Sequence, residues 1–88
     1  MKEILMMVLE DCPYCRQADA MIAQLREENE KYRGITVKRV DEEADPGLAE
    51  TLDYYYVPCF FVEGKKLLEG VPEKEKVQAV LDAALAEG

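Results

Sequence analysis

Histidine and tryptophan are both missing from this 88-residue chain, and cysteine occurs only three times. Without imidazole, Cys-His hydrolysis and most catalytic zinc sites are excluded, because each needs a histidine as base or ligand. The odd cysteine count argues against a small secreted disulfide scaffold, in which one thiol would be left over and free to react. A reducing, cytoplasmic setting fits better. Long apolar runs are lacking as well. The longest early one is Ile4 to Leu9, far short of the ~18 residues needed to cross a bilayer, so neither a signal peptide nor a membrane span is expected. Positive charge is scarce: eleven Lys and Arg face nineteen Asp and Glu, a formal net charge of −8. Such a field repels phosphate backbones and anionic lipid surfaces, which removes nucleic acid and membranes from the expected partners. What is left is a single compact domain, residues 1–88, acting as a monomer and too short for a second core. Any chemistry it performs must use sulfur.

The apolar residues that are present fall into clear patterns. Ile4 to Leu9 is a continuous run of strand length, as expected of a central strand covered on both faces. From Pro13 onward Ala18, Met21, Ile22, Leu25, Asn29 and Tyr32 recur at spacings of three and four, which predicts an amphipathic helix ending near Gly34. Ile35 to Asp41 alternates and is rich in β-branched residues, a second strand. Asp45-Pro46 opens a short helix carrying Leu48, Ala49 and Leu52, and Tyr54-Tyr55-Tyr56 leads out of it. Pro58 begins a third strand, Cys59 to Val62, and Glu63-Gly64-Lys65 turns the chain into Lys66-Leu67-Leu68. Pro72-Glu73 starts a last helix with an apolar stripe at Val77, Val80, Leu81, Ala84 and Leu85. The order β-α-β-α-β-β-α predicts an α/β fold: a four-stranded mixed sheet with helices on both faces. The first two βα units are expected to make right-handed crossovers, and the hairpin to add an antiparallel edge.

Two of the three cysteines stand in "LEDCPYCRQA", residues 9 to 18. A pair spaced C-x-x-C is half of a tetrahedral zinc site, but closing one takes about four soft ligands, and only Cys59 and carboxylates are available. An iron–sulfur cluster or metal held through Cys12 and Cys59, shared between two subunits, stays open as an alternative. As a permanent bridge the pair would stabilise little, since closing so short a loop removes little unfolded-chain entropy. Position favours redox chemistry. Pro13 suits the first helical turn, so Cys12 falls at the helix N-terminus, where unpaired N–H groups and the helix dipole stabilise a thiolate. Cys15 lies one turn further along the same face, near enough to attack a mixed disulfide on Cys12. Glu10, Asp11 and Asp19 oppose the thiolate, whereas Arg16 favours it.

"CPYC" at a helix start, with "VP" before a later strand, resembles the glutaredoxin branch of the thioredoxin-like superfamily. The resemblance spans nearly the whole chain in element order and implies a thiol–disulfide oxidoreductase. It implies that Cys12 is the nucleophile, that Cys15 resolves, and that Pro58 follows a cis peptide bond facing the cysteines, which turns Val57 toward a disulfide substrate. Pro13 and Tyr14, inside the motif, become substrate contacts. No resident cofactor is implied; electrons come from glutathione or from a thioredoxin-reductase-type system. Glutaredoxins usually carry a basic residue ahead of the motif and a Gly-Gly followed by acidic residues near the last helix, which hold glutathione. Here Glu10-Asp11 and "EGVPEKEK" stand in those places. Cys59, directly after Pro58, reads as a small buried hydrophobe beside Phe60, with a third redox thiol as the sharper alternative.

Overall fold

The computed structural model describes residues 2–86. Its first strand, β1 (Ile4–Val8), buries four of its five side chains, as a run without polar alternation must. It is followed by helix α1 (Pro13–Glu28), strand β2 (Val37–Asp41), the short helix α2 (Pro46–Glu50), the hairpin β3 (Cys59–Val62) and β4 (Lys65–Glu69), and helix α3 (Lys74–Leu85). The strands form one sheet in the order β2-β1-β3-β4. β1 runs parallel to β2 and antiparallel to β3, and β3 runs antiparallel to β4.

Two expectations change here. The second crossover does not return β3 parallel to β1: Cys59 pairs with Met7, and Val8 with Asp41, so β3 begins at the edge where β1 and β2 finish. α2, at five residues, spans only ~7.5 Å, and the segment from Glu42 to Pro58 stays over that edge. The first helix also stops sooner than its periodicity suggests. Asn29 leaves the helical region (φ −147°, ψ 116°) and its side chain accepts from the Lys31 N–H at 3.2 Å, starting a separate 3₁₀ turn, Glu30–Tyr32. The released carbonyls are answered by Arg33, whose Nε donates to Arg26 O at 2.9 Å. Tyr32 still reaches the core, its hydroxyl donating to Asp82 at 2.7 Å. Gly34 does not take the left-handed conformation expected of a helix cap.

Helices lie on both faces, with unequal cores. α1 contributes Cys15, Ala18, Ile22 and Leu25, a 3-4-3 spacing that packs with α3 against Met6 and Phe60. The opposite face carries a smaller cluster of Met7, Cys59 and Phe61 under Leu48 and Leu52. All four residues of β3 are buried, and its side chains alternate between the two cores: Phe60 belongs to the first, Cys59 and Phe61 to the second. The β3–β4 turn needs positive φ at both central residues, and Glu63 (51°) and Gly64 (79°) supply it. β4 then carries a bulge, since Phe60 pairs with Leu68 but Phe61 with Lys66, leaving Leu67 unpaired. Among the described residues no helix is long and apolar enough to cross a membrane.

Candidate active site at the start of the first helix

Cys12 is the N-cap of α1, with extended backbone (φ −108°, ψ 104°) and a sulfur that accepts the Cys15 N–H at 3.1 Å. The cap that serine or aspartate usually provides is here provided by sulfur, which takes the third-position amide of Cys15, while Pro13 at the first position has no N–H to satisfy. Cys12 and Cys15 are joined as a disulfide with Cα atoms 5.1 Å apart. Both are largely covered, but unequally: Cys12 is 8% exposed and Cys15 1%. Cys12 is therefore the more accessible sulfur, while Cys15 belongs to the buried stripe of its helix.

Forty-five positions away in sequence, the Val57 carbonyl oxygen lies 3.8 Å from Cys12 Sγ, and the Val57–Pro58 peptide bond is cis. Pro58 is buried, and its carbonyl accepts the Gly70 N–H at 2.9 Å, extending the β3–β4 ladder by one bond. Tyr14, Tyr56, Val57, Glu69, Gly70 and Val71 enclose a cleft of about 330 Å³. A larger hollow of about 470 Å³ below α2 is lined by Glu42, Glu43 and Glu50 and contains no thiol, so size does not mark the site. Of the residues singled out from sequence, Cys12, Cys15 and Val57 meet directly. Tyr14, 44% exposed, stands beside them on the rim. Pro13, also exposed, opens the helix.

The three consecutive tyrosines have different fates. Tyr54 packs edge-on against Phe61, ring centroids 6.1 Å apart, and its hydroxyl donates to Glu42 at 2.8 Å. Burial and the neighbouring Glu42 raise its pKa. Tyr55 and Tyr56 point outward, and their backbone N–H groups both donate to one carboxylate oxygen of Glu69, from Tyr56 at 2.9 Å. Lys66 Nζ donates to the other oxygen at 2.9 Å. These donors hold the Glu69 carboxyl at about 2, well below its ordinary 4.5, with the Tyr55 N–H contributing most. Neither Glu69 nor the bulge was apparent from the sequence.

Cys59 is buried, as expected of a small hydrophobe at this position. It packs with Met7 and Phe61, on the face away from Phe60 and from the cluster that holds Cys12. Among the described residues no group of three or more cysteine, aspartate or glutamate side chains is placed to hold a metal ion. Burial, reinforced by the Glu69 carboxylate, pushes the Cys59 thiol from 9.0 up to about 12. Two results follow. In folded protein Cys59 should resist iodoacetamide at pH 8, as read by mass spectrometry. A raised thiol pKa also favours folding below the unfolded value, so urea midpoints should fall as the pH climbs from about 9 toward 12, and less so in Cys59→Ala. Rapid native alkylation of Cys59 would contradict both. Of the acidic residues near the pair in sequence, Asp19 is neutralised by Arg39 at 3.0 Å, whereas Glu10 and Asp11 stay exposed and form no ion pair among the described residues.

A family model described as "Thioredoxin domain" matches residues 2–82. The chain belongs to that family. Among solved structures it is similar to oxidised thioredoxin from Plasmodium falciparum, at 16% identity and TM-score 0.71, covering 97% of this chain and 82% of that one. It is similar to a protein disulfide oxidoreductase from Aeropyrum pernix K1, at 23% identity and TM-score 0.67, where 96% of this chain matches 38% of the other. Glutaredoxin from Brucella melitensis matches at 20% identity and TM-score 0.54, covering 94% and 82%. No curated protein matches significantly. These likenesses establish a thioredoxin-like fold, and the C-x-x-C pair at its helix start supports thiol–disulfide chemistry in general.

Proposed function

We propose that this thioredoxin domain is a monomeric, cytoplasmic dithiol carrier that reduces protein or small-molecule disulfides. The observation that carries this reading is the Cys12–Cys15 pair at the α1 N-terminus, with its more accessible sulfur beside the Val57 carbonyl. In the reduced protein the Cys12 thiolate attacks one sulfur of a substrate disulfide. A Cys12–substrate disulfide forms, and the other substrate sulfur leaves as a thiolate that takes up a proton. Cys15, deprotonated, then attacks Cys12 Sγ and expels the remaining substrate sulfur. Two electrons have passed from the dithiol to the substrate, leaving the Cys12–Cys15 bridge. The Cys15 N–H aimed at Cys12 Sγ supports the anion when Cys12 attacks. Tyr14, Val57 and Pro58 supply the surface against which the substrate lies, and Pro13 sets the turn that presents Cys12.

Incubating the reduced protein with a fluorogenic peptide disulfide tests the reaction: one bridge should form per substrate reduced. Absence of thiol release would remove the assignment. For the source of electrons, Glu10 and Asp11 favour a reductase over glutathione, which is a net anion at neutral pH. A thioredoxin-reductase system should reduce the oxidised protein about tenfold faster than glutathione, and Glu10→Lys/Asp11→Lys should raise the glutathione rate by a factor that shrinks with added salt. Equal rates with the parent protein would point instead to a glutathione-dependent carrier.

A further inference from the structure

The segment that brings Val57 to Cys12 has no secondary structure of its own. It joins α2 to β3, and its two central side chains, Tyr55 and Tyr56, are 83% and 69% exposed, so they do not anchor it. Tyr54 fixes one end through Phe61 and Glu42, and Pro58 the other through the Gly70 N–H. Between these anchors the backbone is tied at one place, the Glu69 carboxylate, which accepts from both Tyr55 and Tyr56.

Glu69 reaches that position because of the bulge in β4. In a regular strand, residues three apart face opposite sides of the sheet. With Leu67 unpaired, Lys66 opposes Phe61 and Glu69 opposes Cys59, and both therefore lie on the α2 face. Lys66 then holds one carboxylate oxygen at 2.9 Å, which directs the other at the two amides. Gly70 follows with φ +86°, and the position a side-chain carbon would take there lies 3.8 Å from Tyr56 Cβ, so the chain just beyond β4 runs close to this segment. The same carboxylate lines the cleft shared by Tyr14, Tyr56 and Val57.

We propose that Glu69 is a positioning residue for the thiol–disulfide reaction: its carboxylate holds the 55–57 backbone, and with it the Val57 carbonyl and one wall of the cleft, against Cys12. This rests on the dithiol-carrier reading. It concerns how a substrate is seated, leaving the intrinsic reactivity of the sulfur to Cys12 and the helix end. Because its carboxyl is held at about 2, Glu69 stays ionised and the tie stays closed throughout the neutral and mildly acidic range.

Glu69→Ala and Glu69→Gln in the full chain test this, with three readouts. In Glu69→Ala the Tyr55 and Tyr56 amides should exchange with solvent about tenfold faster while the Met6 and Phe61 amides are unchanged. KM for the fluorogenic peptide disulfide should rise roughly tenfold with kcat within about threefold, the split expected when substrate seating alone is lost. Alkylation of reduced Cys12 by iodoacetamide, which needs no seated peptide, should change by less than about twofold. Glu69→Gln keeps an oxygen that can accept both amides but loses the acceptor for Lys66, and should restore part of the protection and of the KM. Unchanged exchange at Tyr55 and Tyr56, exchange that rises equally in the central strands, or freed amides with an unmoved KM would each overturn the proposal. A parent protein that turns over no disulfide while both amides stay protected would instead overturn the carrier reading on which it rests.

Discussion

Cys12→Ser is expected to lower disulfide reduction by roughly three orders of magnitude or more, because a hydroxyl at this position has no accessible anion to attack sulfur. The loss should not be a folding effect. Serine is a good N-cap, and its oxygen can accept the Cys15 N–H that the sulfur accepts now. Cys15→Ser should behave differently. Cys12 can still attack, but nothing expels the substrate from the resulting mixed disulfide, so turnover stalls with substrate bound. Mass spectrometry of the stalled protein should show one substrate adduct on Cys12, released by dithiothreitol. Comparable activity in Cys12→Ser and the parent would displace Cys12 as the nucleophile. An adduct on Cys15 in Cys12→Ser would reverse the two roles, which the 8% and 1% exposures argue against.

Phe60→Ala carries the second large effect. Phe60 is 1% exposed in the principal core, between Met6 on β1 and Leu68 on β4, where the sheet meets α1 and α3. Truncating a buried phenylalanine costs about 3–5 kcal/mol, a large part of a whole-domain stability on the order of 10 kcal/mol for this length. The urea midpoint should fall steeply with little change in slope; a loss below about 1 kcal/mol would mean that the core collapses around the gap. Activity should fall as well. Phe60 lies two residues after Pro58, and β3 is the element that delivers Val57 to Cys12. Cys59→Ala, on the other face of the same strand, should leave turnover nearly intact. Together the two substitutions compare the side chains of the principal core with those of the smaller one as supports for β3.

Much of this molecule was legible locally. Ile4 to Leu9 reads as a covered strand because both faces are apolar, and the structure buries four of the five residues in β1. Pro13 announces a helix start, and Cys12 is its cap. The resemblance carried by "CPYC" and "VP" anticipated the thioredoxin-like fold, and the structure places the Val57–Pro58 bond in cis beside Cys12. Where the reading slipped, a local rule met a competitor. The helical spacing from Ala18 to Tyr32 is genuine, but the Asn29 side chain offered the backbone a different partner and split the run in two. Cys59 is the buried small hydrophobe that the sequence suggests, and strand alternation sends it and its chain neighbour Phe60 to opposite cores.

By itself, then, the sequence determined most of the elements and the place of the cysteine pair at a helix start: periodicity, proline and cysteine spacing act over a few residues, and their consequences are the same wherever the element ends up. Tertiary structure alone decided the direction of β3, the bulge at Leu67 and the reach of Glu69 to amides 13 and 14 positions away. It also decided that Val57, 45 positions from Cys12, should stand over the sulfur. Such contacts depend on which strands pair and in what register, and pairing is chosen by the burial of both faces of the sheet at once, which no local stretch of residues records.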